Sequence, residues 1–196
     1  NSPVSKNLSS HDSYDIEWDN YGIFIFHSVT SELEGLKKEI QICCDSLKKI
    51  KKNFVVISPN NDPGCEIIFK AIGKLPRSHF KQIPSMRFSY FSSLLKHSQI
   101  IIGNSSAGVR EAPFLGVPSI NIGSRQFRRG QAKSIKNVNV FKNKNLDQQV
   151  KSLWGKRFPT DNSFGTGQSA KKFRKILANK KIWELSLQKT FFETST

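Results

Sequence analysis

The chain is poor in cysteine and in acidic residues, and it has no long apolar run. Among its 196 residues, Cys43 and Cys44 are adjacent and Cys65 is isolated, which excludes a disulfide framework and a paired zinc motif. Thiols used so sparsely fit a reducing, cytoplasmic compartment. His11, His27, His79 and His97 have no metal-ligand spacing, so no metal is expected. No stretch has the length and apolarity of a membrane span, and no basic leader followed by an apolar stretch reads as a signal peptide.

Fifteen Asp and Glu stand against thirty-one Lys and Arg, a formal net charge of +16. An excess of that size suits a polyanionic partner. The basic residues are dispersed, however, in pairs such as Lys37-Lys38, Lys48-Lys49 and Arg128-Arg129. These fall largely where helix exteriors are expected, and a solvated basic surface accounts for them. No known nucleic-acid-binding module is visible, so nucleic acid is not the expected partner.

The chain does show alternation of strand and helix. Residues 1–20 are polar and Ser-rich and read as a tail or interdomain linker. Strands are expected over residues 21–26, 54–57, 79–83, 100–102 and 117–122, with a short sixth over 138–141. Helices are expected over 32–50, 66–72, 88–97, 146–154 and 169–177, and over 181–192 at the end. In the first of these, Leu33, Leu36, Ile40, Leu47 and Ile50 recur at roughly helical spacing. This alternation implies a doubly wound α/β sheet, parallel, with right-handed crossovers. At this length one domain with one substantial core is the default.

The most informative stretch, residues 100–129, reads IIIGNSSAGVREAPFLGVPSINIGSRQFRR. A β-branched run buried on both faces ends in a small-residue turn of Gly103, Asn104, Ser105 and Ser106. Asn104, Ser105 or Ser106 can cap a helix that starts there, and such a start directs unpaired N–H groups beyond the carboxyl end of the strand. In open α/β sheets that is where ligands bind. Glu111 follows one to two turns later, within reach of the hydroxyls of a ligand whose phosphates sit at the turn. Spacing alone supports a well-capped turn without a ligand equally well.

GNSSAGVREAP followed by GVPSINIGSRQ resembles the nucleotide-binding signature of the UDP-N-acetylglucosamine 2-epimerase family, especially its hydrolysing branch. FHSVTSE at residues 26–32, SPNNDPG at 58–64, PSMRFSYF at 84–91 and FGTGQSAKKF at 164–173 agree in the same order. The resemblance implies the C-terminal, Rossmann-like half of a two-domain GT-B type fold, with a UDP-binding domain over residues 21–180 and a C-terminal helix over 181–196. It also implies that the N-terminal domain, which carries the acid and base carboxylates, is absent. The first residue, Asn1, fits such a fragment. No cofactor is implied, and assembly with identical copies is compatible with the family.

The site residues follow by resemblance. Ser105 and Ser106 match positions that bind the diphosphate, and Glu111 matches the residue that grips the ribose hydroxyls. Phe91 matches a ring near the uracil, although at helical spacing from Phe88 and Leu94 it reads equally as core. Arg125 matches an arginine near the nucleotide, with an interdomain salt bridge as the competing role. Asn60, otherwise an ordinary turn residue, matches a further ligand contact. His27 matches the catalytic histidine, able to exchange protons or to steady a leaving group's charge. Ser28 stands beside it where many relatives have proline, which loosens the loop.

The implied reaction eliminates UDP from a UDP-N-acetylglucosamine-type sugar and adds water, releasing an N-acetylmannosamine-type sugar for sialic or related nonulosonic acids. The isolated chain is expected to bind UDP and to be inactive. A GT-B glycosyltransferase fragment and a basic nucleic-acid-binding module are the alternatives.

Overall fold

The computed structural model describes residues 16–142 and 145–188. Within them, β1 (Tyr21–Ile25), β2 (Asn53–Ile57), β3 (Phe80–Ile83), β4 (Ile101–Gly103), β5 (Ser119–Ile122) and β6 (Ile135–Val138) pair in parallel as one sheet of order β3-β2-β1-β4-β5-β6. Helices α1 (Leu33–Ile50), α2 (Cys65–Ile72), α3 (Phe88–His97), α4 (Glu111–Phe114) and α5 (Leu146–Leu153) connect or follow the strands, and α6 (Ser169–Leu177) lies further along the chain. This is the doubly wound, Rossmann-like architecture that the alternation implies.

Strand β1 is central, and all five of its residues are buried. Successive strand side chains point to opposite faces, so β1 feeds two separate cores. Phe24 joins Phe26, Leu36, Ile40, Leu47 and Val150 on the face covered by α1 and α5. Ile23 and Ile25 join Leu94, Leu95, Ile101 and Val117 on the other. Burying one such side chain contributes about 1.5–3 kcal/mol. Cys43 and Cys44 lie in the first core; burial pushes the Cys44 thiol up to about 12, so both act as small apolar groups.

Several elements differ from the expectation. Of the supposed tail, residues 1–15 lie outside the described residues, but Ile16 is buried in the second core and Trp18 packs against it. β6 runs over Ile135–Val138 rather than residues 138–141. It pairs from Ser119↔Ile135 to Ile122↔Val138, and after it the Asn139 side chain accepts from the N–H groups of Phe141 and Lys142, turning the chain away. An edge strand carrying exposed Lys136 and Asn137 has too little apolar pattern to be found by composition.

The helix expected after β4 is a 3-10 turn, Ser106–Gly108, followed by the four-residue α4. Pro113 cannot bond back to Val109 and its ring would meet that carbonyl in a continuous helix. Gly116, at φ +68, then ends the segment. The chain divides into two compact units, the first ending at Asp161 and the second starting at Asn162. In the second unit, α6 matches its expected range, but the expected helix from residue 181 is only a 3-10 turn, Lys180–Glu184. The Asn179 side chain caps that turn, accepting from the Lys181 N–H. Residues 189–196 of that expectation lie outside the described residues.

Gly103 is the tightest point of the sheet. Its φ is +129, and a Cβ there would stand 1.8 Å from the carbonyl oxygen of Ile25. Gly103→Ala should destabilise the fold by more than about 4 kcal/mol or prevent folding, measured by chemical denaturation. Gly165→Ala, at φ +105 with nothing within 4 Å, should cost only about 1 kcal/mol.

Candidate functional site

In the order β3-β2-β1-β4-β5-β6 the winding direction reverses between β1 and β4. The chain after β1 goes to α1 on one face, and the chain after β4 goes to the 3-10 turn and α4 on the other. A crevice opens between the two strand ends, as at any such reversal. His27, Asn60, Phe91 and Ser105 all line one cleft of about 590 Å³ there, together with Pro84 and Met86. Four residues from four separate chain segments therefore converge.

The other three expected residues do not line that cleft. Arg125, on the loop after β5, directs its Nη1 to the carbonyl oxygen of Asn104 at 3.3 Å. Ser106 is exposed at the start of the 3-10 turn. Glu111 opens α4, and its Oε2 is buried with no hydrogen-bond partner. Buried carboxylate oxygens are normally paired, so this atom has acceptor capacity that the protein leaves unused. A four-residue α4 supplies little macrodipole. Donors to an anion would be the hydroxyl of Ser105 and the main-chain N–H groups of Ser105 and Ser106, since those of Ala107, Gly108, Val109 and Arg110 are already engaged. Ser105 is the cap of that turn, its hydroxyl accepting from the Ala107 N–H at 3.4 Å.

Asn104 has a role that spacing did not reveal. Its side-chain oxygen accepts from the His27 N–H at 2.7 Å, and its side-chain amide donates to the His27 carbonyl, also at 2.7 Å. The residue is 2 % exposed. One carboxamide thus fixes both main-chain groups of His27, so the loop is held there although Ser28 stands in place of proline. The only signal in the sequence was an amide directly after the glycine that ends β4.

His27 is 7 % exposed. Burial, and after it the Arg125 guanidinium, pull its pKa down to about 4 against a smaller upward pull from Asp62. The imidazole is therefore neutral at physiological pH. Among the described residues, no three His, Cys, Asp or Glu side chains gather to hold a metal ion, and no helix is long and apolar enough to cross a membrane.

This sheet order and the loops gathered at its reversal define a Rossmann-like domain of the kind from which GT-B proteins are built. The chain belongs to the UDP-N-acetylglucosamine 2-epimerase family, whose model matches residues 2–178. A UDP-N-acetylglucosamine 2-epimerase of Neisseria meningitidis serogroup B (strain ATCC BAA-335 / MC58) is 40% identical over 186 residues, covering 92% of this chain and 48% of the relative. A UDP-N,N'-diacetylbacillosamine 2-epimerase (hydrolyzing) of Legionella pneumophila is 24% identical over 156 residues, covering 79% and 41%. The chain therefore spans about half the length of these relatives. The solved structure of UDP-GlcNAc 2-epimerase from Methanocaldococcus jannaschii shares the fold, with a TM-score of 0.63 at 17% identity over 83% of this chain and 46% of that one. Family membership sets aside the glycosyltransferase reading.

A histidine held neutral in the folded state makes stability depend on pH. The unfolded chain takes up a proton below about 6.5 while the folded chain resists until about 4. The contribution is complete above pH 6.5 and is lost as pH falls from 6.5 to 4. Denaturation at pH 7 and pH 4.5 should show wild type losing on the order of 2 kcal/mol more than His27→Gln.

Proposed function

We propose that this chain is the UDP-binding half of a hydrolysing UDP-N-acetylglucosamine 2-epimerase. The observation that carries the reading is the convergence of His27, Asn60, Phe91 and Ser105 in one cleft at the reversal of strand order. In this reading the uracil packs near Phe91, and the diphosphate lies against the hydroxyls and N–H groups of Ser105 and Ser106. The free Oε2 of Glu111 accepts from the ribose hydroxyls. Arg125 supplies a permanent cation beside the phosphates, and Asn60 closes the cleft from the end of β2. His27 is the catalytic residue that this half contributes.

The reaction removes the proton at carbon two of the sugar to a base while the carbon one to oxygen bond breaks. The electron pair leaves with UDP, and water then adds across the resulting double bond. The product is a free N-acetylmannosamine-type sugar, of use in making sialic or related nonulosonic acids. Donors aimed at the departing diphosphate stabilise the charge it gains. The carboxylates for the proton transfers belong to the half that this chain does not include, so the chain alone binds UDP and turns nothing over. The similarity to a relative named as hydrolysing supports this branch. The enzyme would work in the cytoplasm.

Calorimetric titration of UDP tests the reading. Wild type should bind saturably, while Glu111→Ala and Ser105→Ala should each weaken binding roughly tenfold or more. No binding by folded wild type, or unchanged binding in both variants, would overturn the site. Release of free sugar from UDP-N-acetylglucosamine by the purified chain would refute its inactivity.

A further inference from the structure

Nδ1 of His27 lies 3.1 Å from the main-chain nitrogen of Asn60, which donates to it. A main-chain amide has only a proton to offer, so Nδ1 must present its lone pair and the ring proton of a neutral imidazole must sit on Nε2. Nε2 has no protein partner among the described residues, and the ring lines the cleft. From behind, the two 2.7 Å bonds of Asn104 fix the main chain that carries the ring.

This arrangement distinguishes the two tasks open to a histidine here. A base at Nε2 needs a bare nitrogen, and an acid at Nε2 needs a charged ring. The neutral ring with Nδ1 engaged is neither, since surrendering the Nε2 proton would leave an imidazolate. It is suited to donating one well-aimed hydrogen bond to an anion. The charged groups facing it are Arg125, from the loop after β5, and Asp62, from the turn before α2. The guanidinium opposes a second ring proton more strongly than the carboxylate favours one.

We propose that His27 works as a fixed, neutral hydrogen-bond donor through Nε2 to a phosphate-type oxygen, without exchanging its proton, and that Asn104 is the residue that positions it. The identity of the acceptor rests on the nucleotide reading above. The tautomer does not.

The experiment is ring nitrogen–proton correlation NMR on the histidine-labelled chain between pH 5.5 and 8, with His27→Gln to assign the signal. Spectra are taken without ligand and with UDP-N-acetylglucosamine, whose doubly esterified diphosphate keeps its charge over that range. The expected wild-type result is an Nε2–H signal that does not titrate and that shifts on saturation. In Asn104→Ala the ring should exchange between tautomers and titrate closer to pH 6.5; a merely structural role for Asn104 would lower stability and leave the ring signal as in wild type. Asn60→Pro, which deletes the N–H that meets Nδ1, should also free the tautomer and tests that lock independently of Asn104. In binding, His27→Gln, which retains a donor, should stay within about threefold of wild type, and His27→Ala should bind roughly tenfold more weakly.

An Nδ1–H signal, titration near pH 6.5 in wild type, or an Nε2 proton unmoved by saturating ligand would overturn the proposal. Absence of any saturable binding would overturn the nucleotide reading, while the ligand-free spectra would still decide the tautomer.

Discussion

Two hydrogen bonds of 2.7 Å between the Asn104 carboxamide and the main chain of His27 hold the crevice of this domain together. They are needed because the fold pulls the chain apart at that point. Beyond β1 the backbone leaves for one face of the sheet, and beyond β4 it leaves for the other. Strand pairing ends at Ile25↔Gly103, and its last main-chain bond runs from the Asn104 N–H to the Ile25 carbonyl, so the ladder leaves the main chain of His27 to other partners. The carboxamide continues the pairing by one step with a side chain in place of a strand. Ring orientation, the floor of the cleft and the seat of Arg125 on the Asn104 carbonyl all inherit their positions from that step.

The domain also shows how an anion site is assembled without a long helix. Pro113 and the glycines around it confine the segment after β4 to a 3-10 turn and four helical residues. Glu111 opens α4 three residues after the 3-10 turn ends. Dipole strength is exchanged for closeness of unlike groups. A hydroxyl, the N–H groups of Ser105 and Ser106 and a buried carboxylate oxygen fall within one short stretch of chain.

Much of this was legible from residues alone. The buried strands near residues 21, 54 and 100 declare themselves because a parallel strand covered on both faces is largely apolar, whereas β5 alternates Ile120 and Ile122 with buried polar Ser119 and Asn121. The helices of α1, α3 and α6 carry their period plainly. β6 was misplaced because an edge strand is half polar, and the run after β4 was misread because Ser-rich capping signals do not reveal how far a helix will extend. In the site, the signature loops pointed to His27, Asn60, Phe91 and Ser105, and the structure brings those four together. Asn104 was read as a candidate cap, while Ser105 does the capping. Its true partner lies 77 residues away, and a side-chain bond to a distant main chain leaves no local pattern to read. The neutrality of His27 was hidden for the same reason, since burial and Arg125 act on it only in the folded chain.

That separation of 77 residues also sets a schedule for synthesis. A ribosome adding roughly 5–20 residues per second takes about 4–15 seconds to travel from His27 to Asn104. Through that interval β1, already emerged, has one edge with no strand beside it. β2 can occupy only the opposite edge. The histidine loop must wait beside the most exposed and adhesive strand of the nascent chain, and the polypeptide that completes the crevice is also what removes that hazard.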